Sequence, residues 1–573
     1  MASGSLAHAA RRWRRFLALA APYWRSEDSW RAGVLLTGLI LLLLGQTAFN
    51  LSFVELSGEL TSALAARDAD RFWSAIRTSL VVLAVAVPIW ALYYRVRDTL
   101  GLHWRRWLTH RFLDAWLAHR SYYTLSTSGD IDNPDQRIAE DVATFTQQSL
   151  YFSMIALGAL IQLAAFTAML WSISHELVYF LGGYALLGTL GTTLIFGRPL
   201  VALNFRQLRR EGDFRFALVR IREHAEAIAM MRGERDEAQQ ARGWFAALFD
   251  NARALVRRQF GLNLFQYAFS FLTIVLPSAI IANRVLSGEL EVGAAVQAGG
   301  AFTAILSALS VVIDHFEGLS RLSAGVDRLH DFSERLREET PGPIHGTDIH
   351  THIRTVIAGH LRLEHLTVCT PGQERVLIKD LSLNVQTGQG LMIVGGSGGG
   401  KSSLLRVIGG LWHSGEGHIE RPPEDELMFL PQQPYMTLGS LRRQLLYPDC
   451  TREVADSVLQ ELLAQVNLAD LAYRFDGLDA ERDWGKVLSI GEQQRLAFAR
   501  VLLAQPQFAM LDEATSALDA ANESNLYAQL AQARITPVSV SHRPGLLPFH
   551  DQVLELPGDG SWRVVPSKGY QFS

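Results

Sequence analysis

Six predominantly apolar stretches of about twenty residues, at roughly 32–54, 74–94, 149–171, 177–197, 264–286 and 293–316, constrain this chain more than any other feature. A helix rises 1.5 Å per residue, so about 20 residues cross the ~30 Å hydrocarbon core of a bilayer. Buried helices of soluble proteins seldom run that long without charge, and seldom six times in one chain. These stretches therefore read as six membrane spans. Composition fits a lipid-embedded part joined to a water-soluble one: 49% of the 573 residues are apolar and 19% are charged. That length exceeds one compact domain, and that ratio excludes disorder. A net charge of −4 supplies no basic field, so nucleic acid is excluded as a partner. Cys369 and Cys450 are the only cysteines, too few for a disulfide scaffold or a cysteine zinc site.

Arginines orient the spans. Residues 95–148 carry seven and residues 198–262 carry thirteen, whereas the opposite connections hold only Arg67, Arg71 and Arg284. Positive charge stays inside, which places the N-terminus and everything after the sixth span in the cytoplasm and leaves short outward loops. The run Arg11, Arg12, Trp13, Arg14, Arg15 before Phe16–Ala21 mimics an export signal, but six apolar residues are too few for one. We read residues 1–31 as a cytoplasmic N-terminal segment carrying an interfacial amphipathic helix. The transmembrane domain then covers 32–338. Pro341, Gly342 and Pro343 break the helical pattern and mark a linker over 339–352. From 353 to 573, short β-like runs (Leu361 to Val368, Leu381 to Val385, Leu391 to Val394) alternate with helical stretches, the pattern of an α/β domain. All four lysines lie in this second region.

The α/β region holds the most specific motif. Gly395, Gly396, Ser397, Gly398, Gly399, Gly400, Lys401 and Ser402 fit G-x-x-x-x-G-K-[ST], follow the run Leu391–Val394 and lead into a helix from Ser403. Glycines let consecutive backbone N–H groups turn toward a polyphosphate, and the helix N-terminus adds a positive dipole end. Lys401 is expected to reach the β- and γ-phosphates of ATP, and the Ser402 hydroxyl to ligate Mg²⁺. Downstream, Phe508 to Leu511 form an apolar run ending in Asp512 and Glu513. Asp512 is suited to hold Mg²⁺ through water, and Glu513 to polarise the water that attacks the γ-phosphate. These are P-loop ATPase parts, so the chain is expected to be an ATPase with ATP and Mg²⁺ as its cofactors.

Between the two motifs, Leu488, Ser489, Ile490, Gly491, Glu492, Gln493 and Gln494 resemble the signature of ATP-binding cassette (ABC) proteins. Gln432 after Leu430 and Pro431, Asp519 closing Ser516, Ala517 and Leu518, and His542 between Ser541 and Arg543 stand in the order of that family's remaining loops. The resemblance implies that Gln432 senses Mg²⁺ and the membrane domain, making Ser402, Gln432 and Asp512 the metal set. It implies that Glu513 and His542 act on the γ-phosphate. It also implies that Ser489, Gly491 and Glu492 meet ATP held by an opposite subunit, so that two identical copies complete two sites. Many ABC exporters stack adenine on an aromatic residue ahead of the P-loop; Thr367, Val368, Cys369, Thr370 and Pro371 stand there instead. The base then rests on an aliphatic side chain such as Val376, or on an aromatic elsewhere.

The membrane half is similar to the SbmA/BacA-like transmembrane domain in four places: Pro22–Glu27, Trp104–Thr109, Tyr122–Tyr123 and Asn133–Asp141. Trp104 and Tyr122 also suit interfacial anchoring. Members of that group fused to a cassette include bacterial YddA-type and BacA-related transporters, a mycobacterial cobalamin importer and peroxisomal acyl-CoA transporters. The resemblance implies a homodimeric half-transporter with six helices per copy in a bacterial inner membrane. Its transported solute would be a peptide, a cobalamin-like molecule or an acyl-CoA, with import possible on an exporter-like architecture. The alternative is a membrane ATPase acting as an ATP-gated channel or regulator. Asn133–Asp141 and Arg222–Glu237, the latter read as helical with a charged face, are candidates for coupling to the cassette. Gln46, Asn50, Gln162, Gln266, Asn283, Gln297 and Asp314 are candidates for lining a wet cavity or for hydrogen bonding between helices.

Overall fold

The computed structural model describes residues 2–128, 131, 133–338, 353–370 and 375–572; the expected linker 339–352 and the side chain of Asp314 lie outside what it describes. The chain divides into two compact units, Met1–Gly342 and Pro343–Ser573.

The first unit is helical. Each apolar stretch lies on a helix that mostly outruns it: Ser29–Ala66, Ala69–Leu117, Val142–Ile173, His175–Thr192, Glu234–Leu286 and Val292–Asp314. Among the described residues five helices are long and apolar enough to cross a membrane. The expected fourth span, 177–197, continues from His175–Thr192 into a π-helical turn, Thr193–Gly197. The last span ends at Asp314, two residues before the expected boundary. Glu234–Leu286 has 53 residues, about 80 Å of helix, so more than half of it extends beyond the hydrocarbon. At the hairpin between the first two of these helices, Arg67 adopts a left-handed φ of 56° and ends one helix, and the Asp68 carboxylate accepts the Arg71 N–H at 3.0 Å to begin the next.

Close helix contact depends on small residues. A Cβ on Gly293 would lie 2.0 Å from the Gly58 carbonyl oxygen, and the Gly293 N–H donates to Ser62 Oγ at 3.0 Å. Elsewhere in this unit, Tyr23 stacks on Trp104 with ring centroids 5.8 Å apart, and Phe145 meets Trp104 edge-on at 5.4 Å. Trp104 is 2% exposed, so it is a core residue and not an interfacial anchor. Tyr122 is exposed beside Trp116. The N-terminal helix, Ala2–Ala20, also departs from expectation: it packs on Phe316–Glu338, where Arg15 donates to Asp327 at 2.7 Å. Arg12 and Arg15 have carboxylate partners on protein, Asp327 and Asp331, which a purely lipid-bound helix would lack.

The two coupling candidates are both bent. Asn133 takes φ 47°, Pro134 starts a short turn, and Arg137–Asp141 is π-helical. Arg137 Nη1 donates to the Arg328 carbonyl at 2.7 Å, and Arg328 Nη2 to Asp141 at 2.5 Å. Burial raises the Asp141 pKa, with Arg328 opposing. The stretch Arg222–Glu237 is not one helix. It breaks at His224 and again where Arg232 turns left-handed at φ 55° ahead of Gly233, because a C-terminal αL cap ends a helix whatever its charged face predicts.

The second unit is α/β. Its strands are β1 (Arg354–Ile357), β2 (Leu361–Cys369), β3 (Val376–Val385), β4 (Leu391–Gly395), β5 (Gly415–Arg421) and β6 (Leu427–Leu430). They continue with β7 (Gly439–Ser440), β8 (Glu481–Arg482), β9 (Phe508–Asp512), β10 (Thr536–Val540), β11 (Gln552–Leu556) and β12 (Arg563–Pro566). One sheet orders as β1-β5-β2-β3 and the larger as β12-β11-β4-β10-β9-β6, while β7 and β8 pair alone. In the larger sheet β6, β9, β10, β4 and β11 run parallel. Alternation divides β4 between two cores: Met392 and Val394 face one, Leu391 and Ile393 the other.

Candidate functional site

Register assembles the site. Ile393 pairs with Val540, and Val540 with Asp512, so β4, β10 and β9 end at one edge. Open parallel sheets bind ligands at the carboxyl ends of their strands. There β4 leads to the glycine loop, β9 to Glu513, and β10 to Ser541 and His542.

The loop is shaped by glycine. Gly395, Gly398 and Gly400 take φ of 145°, 78° and 90°, and a Cβ on Gly395 would sit 2.0 Å from the Leu556 carbonyl oxygen. Around Gly396 and Gly398 an added Cβ meets nothing within 4 Å, so the same loop is open on its other side. The helix Lys401–Ile408 begins one residue later, slightly ahead of the expected Ser403. Lys401 is buried at 8% exposure and its Nζ donates to the carbonyls of Gly395 and Gly396 at 2.7 and 2.8 Å.

Two carboxylates meet these loops. Ser402 Oγ donates to Asp512 Oδ1 at 3.0 Å, and Gln432 Nε2 donates to Glu513 Oε2 at 2.9 Å. Glu513 is held by its backbone at φ 47°, its N–H bonded to the Val540 carbonyl at 3.0 Å. His542 and Gly396 line one cavity of about 470 Å³ with Leu556 and Tyr570. Ser402 is thus paired with Asp512 and Gln432 with Glu513, two hydrogen bonds on adjacent carboxylates. The oxygen-rich set of Ser402, Asp512 and the Gln432 amide suits Mg²⁺, and the open glycine loop suits phosphate.

The signature turn is a separate construction. Ser489 caps the helix Ile490–Ala504 in a reciprocal capping box with Glu492. The Glu492 carboxylate also accepts from Ser489 Oγ at 2.8 Å and from Arg474 at 2.5 Å. Burial alone would raise the Glu492 pKa, but Arg474 and the Ser489 donors outweigh it and lower it. Gly491 is where a Cβ would lie 3.2 Å from the Ala517 carbonyl. Asp519 caps the helix Ala520–Gln532, accepting the Asn522 N–H at 2.8 Å.

Two residues to which the motif reading gave no role tie these loops together. Gln494 is fully buried; its Nε2 donates to the Gln432 carbonyl at 3.1 Å and to Ser516 Oγ at 3.2 Å, and its Oε1 accepts the Ala517 N–H at 3.0 Å. Arg543 donates to the carbonyls of Leu518 and Ser516, both at 2.7 Å. The available signal was a glutamine on the apolar face of its helix, four residues before buried Phe498. On the base side, Val376 is half-exposed; Cys369 ends β2 there, and Pro371 lies outside the described residues.

Residues 19–286 match the family described as ABC transporter transmembrane region 2, and residues 378–516 match the ABC transporter family. An ABC transporter ATP-binding protein of Synechocystis is 43% identical, covering 94% of this chain and 82% of its own length. The chain belongs to the ABC transporters. Its relatives place it among the D-family half-transporters, one membrane region fused to one cassette. ABC transporter D family member 2 of Arabidopsis thaliana, described as chloroplastic, is 36% identical over 96% of this chain and 88% of itself. The human protein named lysosomal cobalamin transporter ABCD4 is 32% identical over 97% and 96%. This half-transporter is a multi-pass membrane protein that binds ATP with Mg²⁺ and is an ATPase. Half-transporters of this kind dimerise and move a solute across a membrane.

Proposed function

We propose that two copies of this chain form a homodimeric, ATP-driven transporter of a bacterial inner membrane, with the N-terminus and the ATPase unit cytoplasmic. The solute is a peptide, a cobalamin-like molecule or an acyl-CoA. One observation carries the reading: Asp512 and Glu513 are each hydrogen-bonded to a different loop, Asp512 to Ser402 of the P-loop and Glu513 to Gln432. A carboxylate at the end of a strand with no such partners would be a solvated surface group. Relatives named as a lysosomal cobalamin transporter in human and as the inner membrane protein YddA in Escherichia coli support the solute class and the compartment.

The N–H groups of Gly395 to Gly400 with Ser397, and of Ser402 and Ser403 at the helix start, bind the phosphates, and Lys401 leaves its loop carbonyls to reach the β- and γ-phosphates. Ser402, Gln432 and Asp512 would hold Mg²⁺, which neutralises phosphate charge when bound. Glu513 orients and polarises the attacking water, and His542 contacts the γ-phosphate. While Gln432 holds Glu513, the carboxylate is engaged; release of that bond frees it for water. Ser489 and Gly491 meet the ATP of the other copy, with Glu492 a positioning residue that fixes Ser489. Asp519 sets the loop beside them. All parts reside on one chain, so two identical copies supply two complete sites. ATP binds the closed pair of cassettes better than the open pair and so shifts the membrane domain between access states; hydrolysis resets it. The bends at Asn133–Asp141 and His224–Gly233 are the coupling elements.

The test is made in proteoliposomes. Glu513→Gln should trap nucleotide with little turnover, and wild-type ATPase rates from that variant refute the role of Glu513. ATP-driven accumulation of one of the three solute classes is expected. Passive flux on ATP binding alone, with no accumulation, identifies an ATP-gated channel and refutes pumping.

A further inference from the structure

A cavity of about 310 Å³ opens within the membrane unit between His175–Thr192, Glu234–Leu286 and Val292–Asp314. Its polar lining follows helical spacing. Asn263, Gln266, Ser270 and Thr273 recur at intervals of three and four on one helix, and Thr303, Ser307 and Ser310 on the other. Gln266, Ser270 and Thr273 on the first stripe and Ser307 and Ser310 on the second lie in the inward halves of the spans given by the arginine asymmetry. A stripe of amides and hydroxyls facing lipid would be costly, so two such stripes meeting at a cavity mark a wet site.

Some of this polarity serves the helices themselves. Thr303 Oγ1 donates to the Gly299 carbonyl at 2.9 Å, and Thr273 Oγ1 to that of Ser270 at 2.5 Å. A hydroxyl that donates in this way retains its acceptor capacity, and Asn263 and Gln266 each carry both a donor and an acceptor group. Phe265, Tyr267, Leu306 and Leu309 complete the wall with apolar surface. Among the described residues that line the cavity, none is charged. The nearest preceding arginine on the same helix, Arg258, stands five residues before Asn263, about 7.5 Å along the axis. A phosphate or carboxylate entering this site would therefore lose water with no fixed cation to compensate.

Resting on the transporter reading above, we propose that this cavity is the inward solute site and that it selects an uncharged, carboxamide-bearing solute, binding amides through Gln266, Asn263, Ser270 and Ser307. An amide supplies donor and acceptor together, matching walls that offer both, and its carbon skeleton matches the apolar remainder. Peptide backbone and an amide-decorated macrocycle share this chemistry; a polyanionic acyl-CoA does not.

Binding is measured on the full chain in nanodiscs without nucleotide. The probes are cyanocobalamin, whose single phosphodiester is balanced by the positive charge of its own cobalt–corrin centre so that the molecule is neutral overall, an N-acetylated and C-amidated uncharged tetrapeptide, and palmitoyl-CoA. At least one neutral probe should bind saturably; which one does identifies the source of the amide. Gln266→Leu and Ser307→Ala should each weaken it about three- to ten-fold, the loss expected for one hydrogen bond. Unchanged elution volume and thermal midpoint establish that the variants are folded, and Ser307→Thr should restore binding. Palmitoyl-CoA should not compete. The proposal is overturned if neither neutral probe binds, if both variants bind as the wild type does, or if palmitoyl-CoA occupies the same site. Saturable neutral binding without ATP-driven accumulation in liposomes would sink the pump and leave the site intact.

Discussion

Replacing Gly293 by alanine tests how the facing ends of two membrane helices are held together. The new Cβ would stand 2.0 Å from the Gly58 carbonyl oxygen and 2.5 Å from Ser62 Oγ. Ordinary carbon-to-oxygen contact needs about 3.3 Å, so the helices must part by roughly 1 Å, because Cβ and carbonyl are both fixed to backbone. Overpacking of this kind costs about 1–3 kcal/mol. Parting also weakens the Gly293 N–H bond to Ser62 at 3.0 Å, worth about 0.5–1.5 kcal/mol. The total is roughly 2–4 kcal/mol. For a large domain about 2 °C accompanies each kcal/mol, so the thermal midpoint of the membrane unit in detergent should fall by roughly 4–8 °C. Gly299, six residues along the same helix, is the control: a Cβ there meets nothing within 4 Å. Gly299→Ala should be neutral or slightly stabilising, since alanine is the better helix former. Equal midpoints for the two variants would refute the reading of Gly58 and Gly293 as a steric contact.

Three further outcomes are expected. Lys401→Ala should weaken nucleotide binding itself, and unchanged affinity in a fluorescent-nucleotide titration would count against the phosphate contact. Gln494→Leu leaves the Ala517 N–H and the Gln432 carbonyl without their partner, so ATPase turnover should drop about ten-fold or more while nucleotide affinity stays near that of the wild type; full turnover would show that the loops hold their places without it. His550 is buried between the Leu546 carbonyl and Ser539 Oγ, and burial pushes its pKa down to about 4. The unfolded chain binds this proton below pH 6.5 and the folded one does not, so stability is full above pH 6.5 and is lost as pH falls toward 4, by roughly 3 kcal/mol. His550→Gln should flatten the fall in unfolding midpoint between pH 6.5 and 4.5, and an unchanged slope would refute the assignment.

Much of this molecule follows from local chemistry. Twenty apolar residues in a row need lipid or a very large core, and they declare spans without any knowledge of packing. The P-loop is equally local, because its phosphate-binding groups are consecutive backbone amides that only glycine frees to turn. Ser489 and Asp519 cap the helices that follow them for the same reason, since a cap acts within four residues. Non-local relations were silent in the one-dimensional pattern. Trp104 also suited interfacial anchoring because an indole near a span end is ambiguous, and only Tyr23 and Phe145, 81 and 41 residues away, decide that it is core. The N-terminal helix read as lipid-bound because its partner Asp327 is 312 residues from Arg15.

The sequence alone determined that a membrane half precedes a nucleotide-binding half and which side chains are the candidates for its chemistry, since hydropathy and loop motifs act over a few residues. Tertiary structure alone decided that Ser402 meets Asp512 across 110 residues, that Gln432 meets Glu513 across 81, and that Gln494 joins the loops around them. Those meetings depend on the register of parallel strands, and register is set by the packing of both sheet faces together, a property no short stretch of chain possesses.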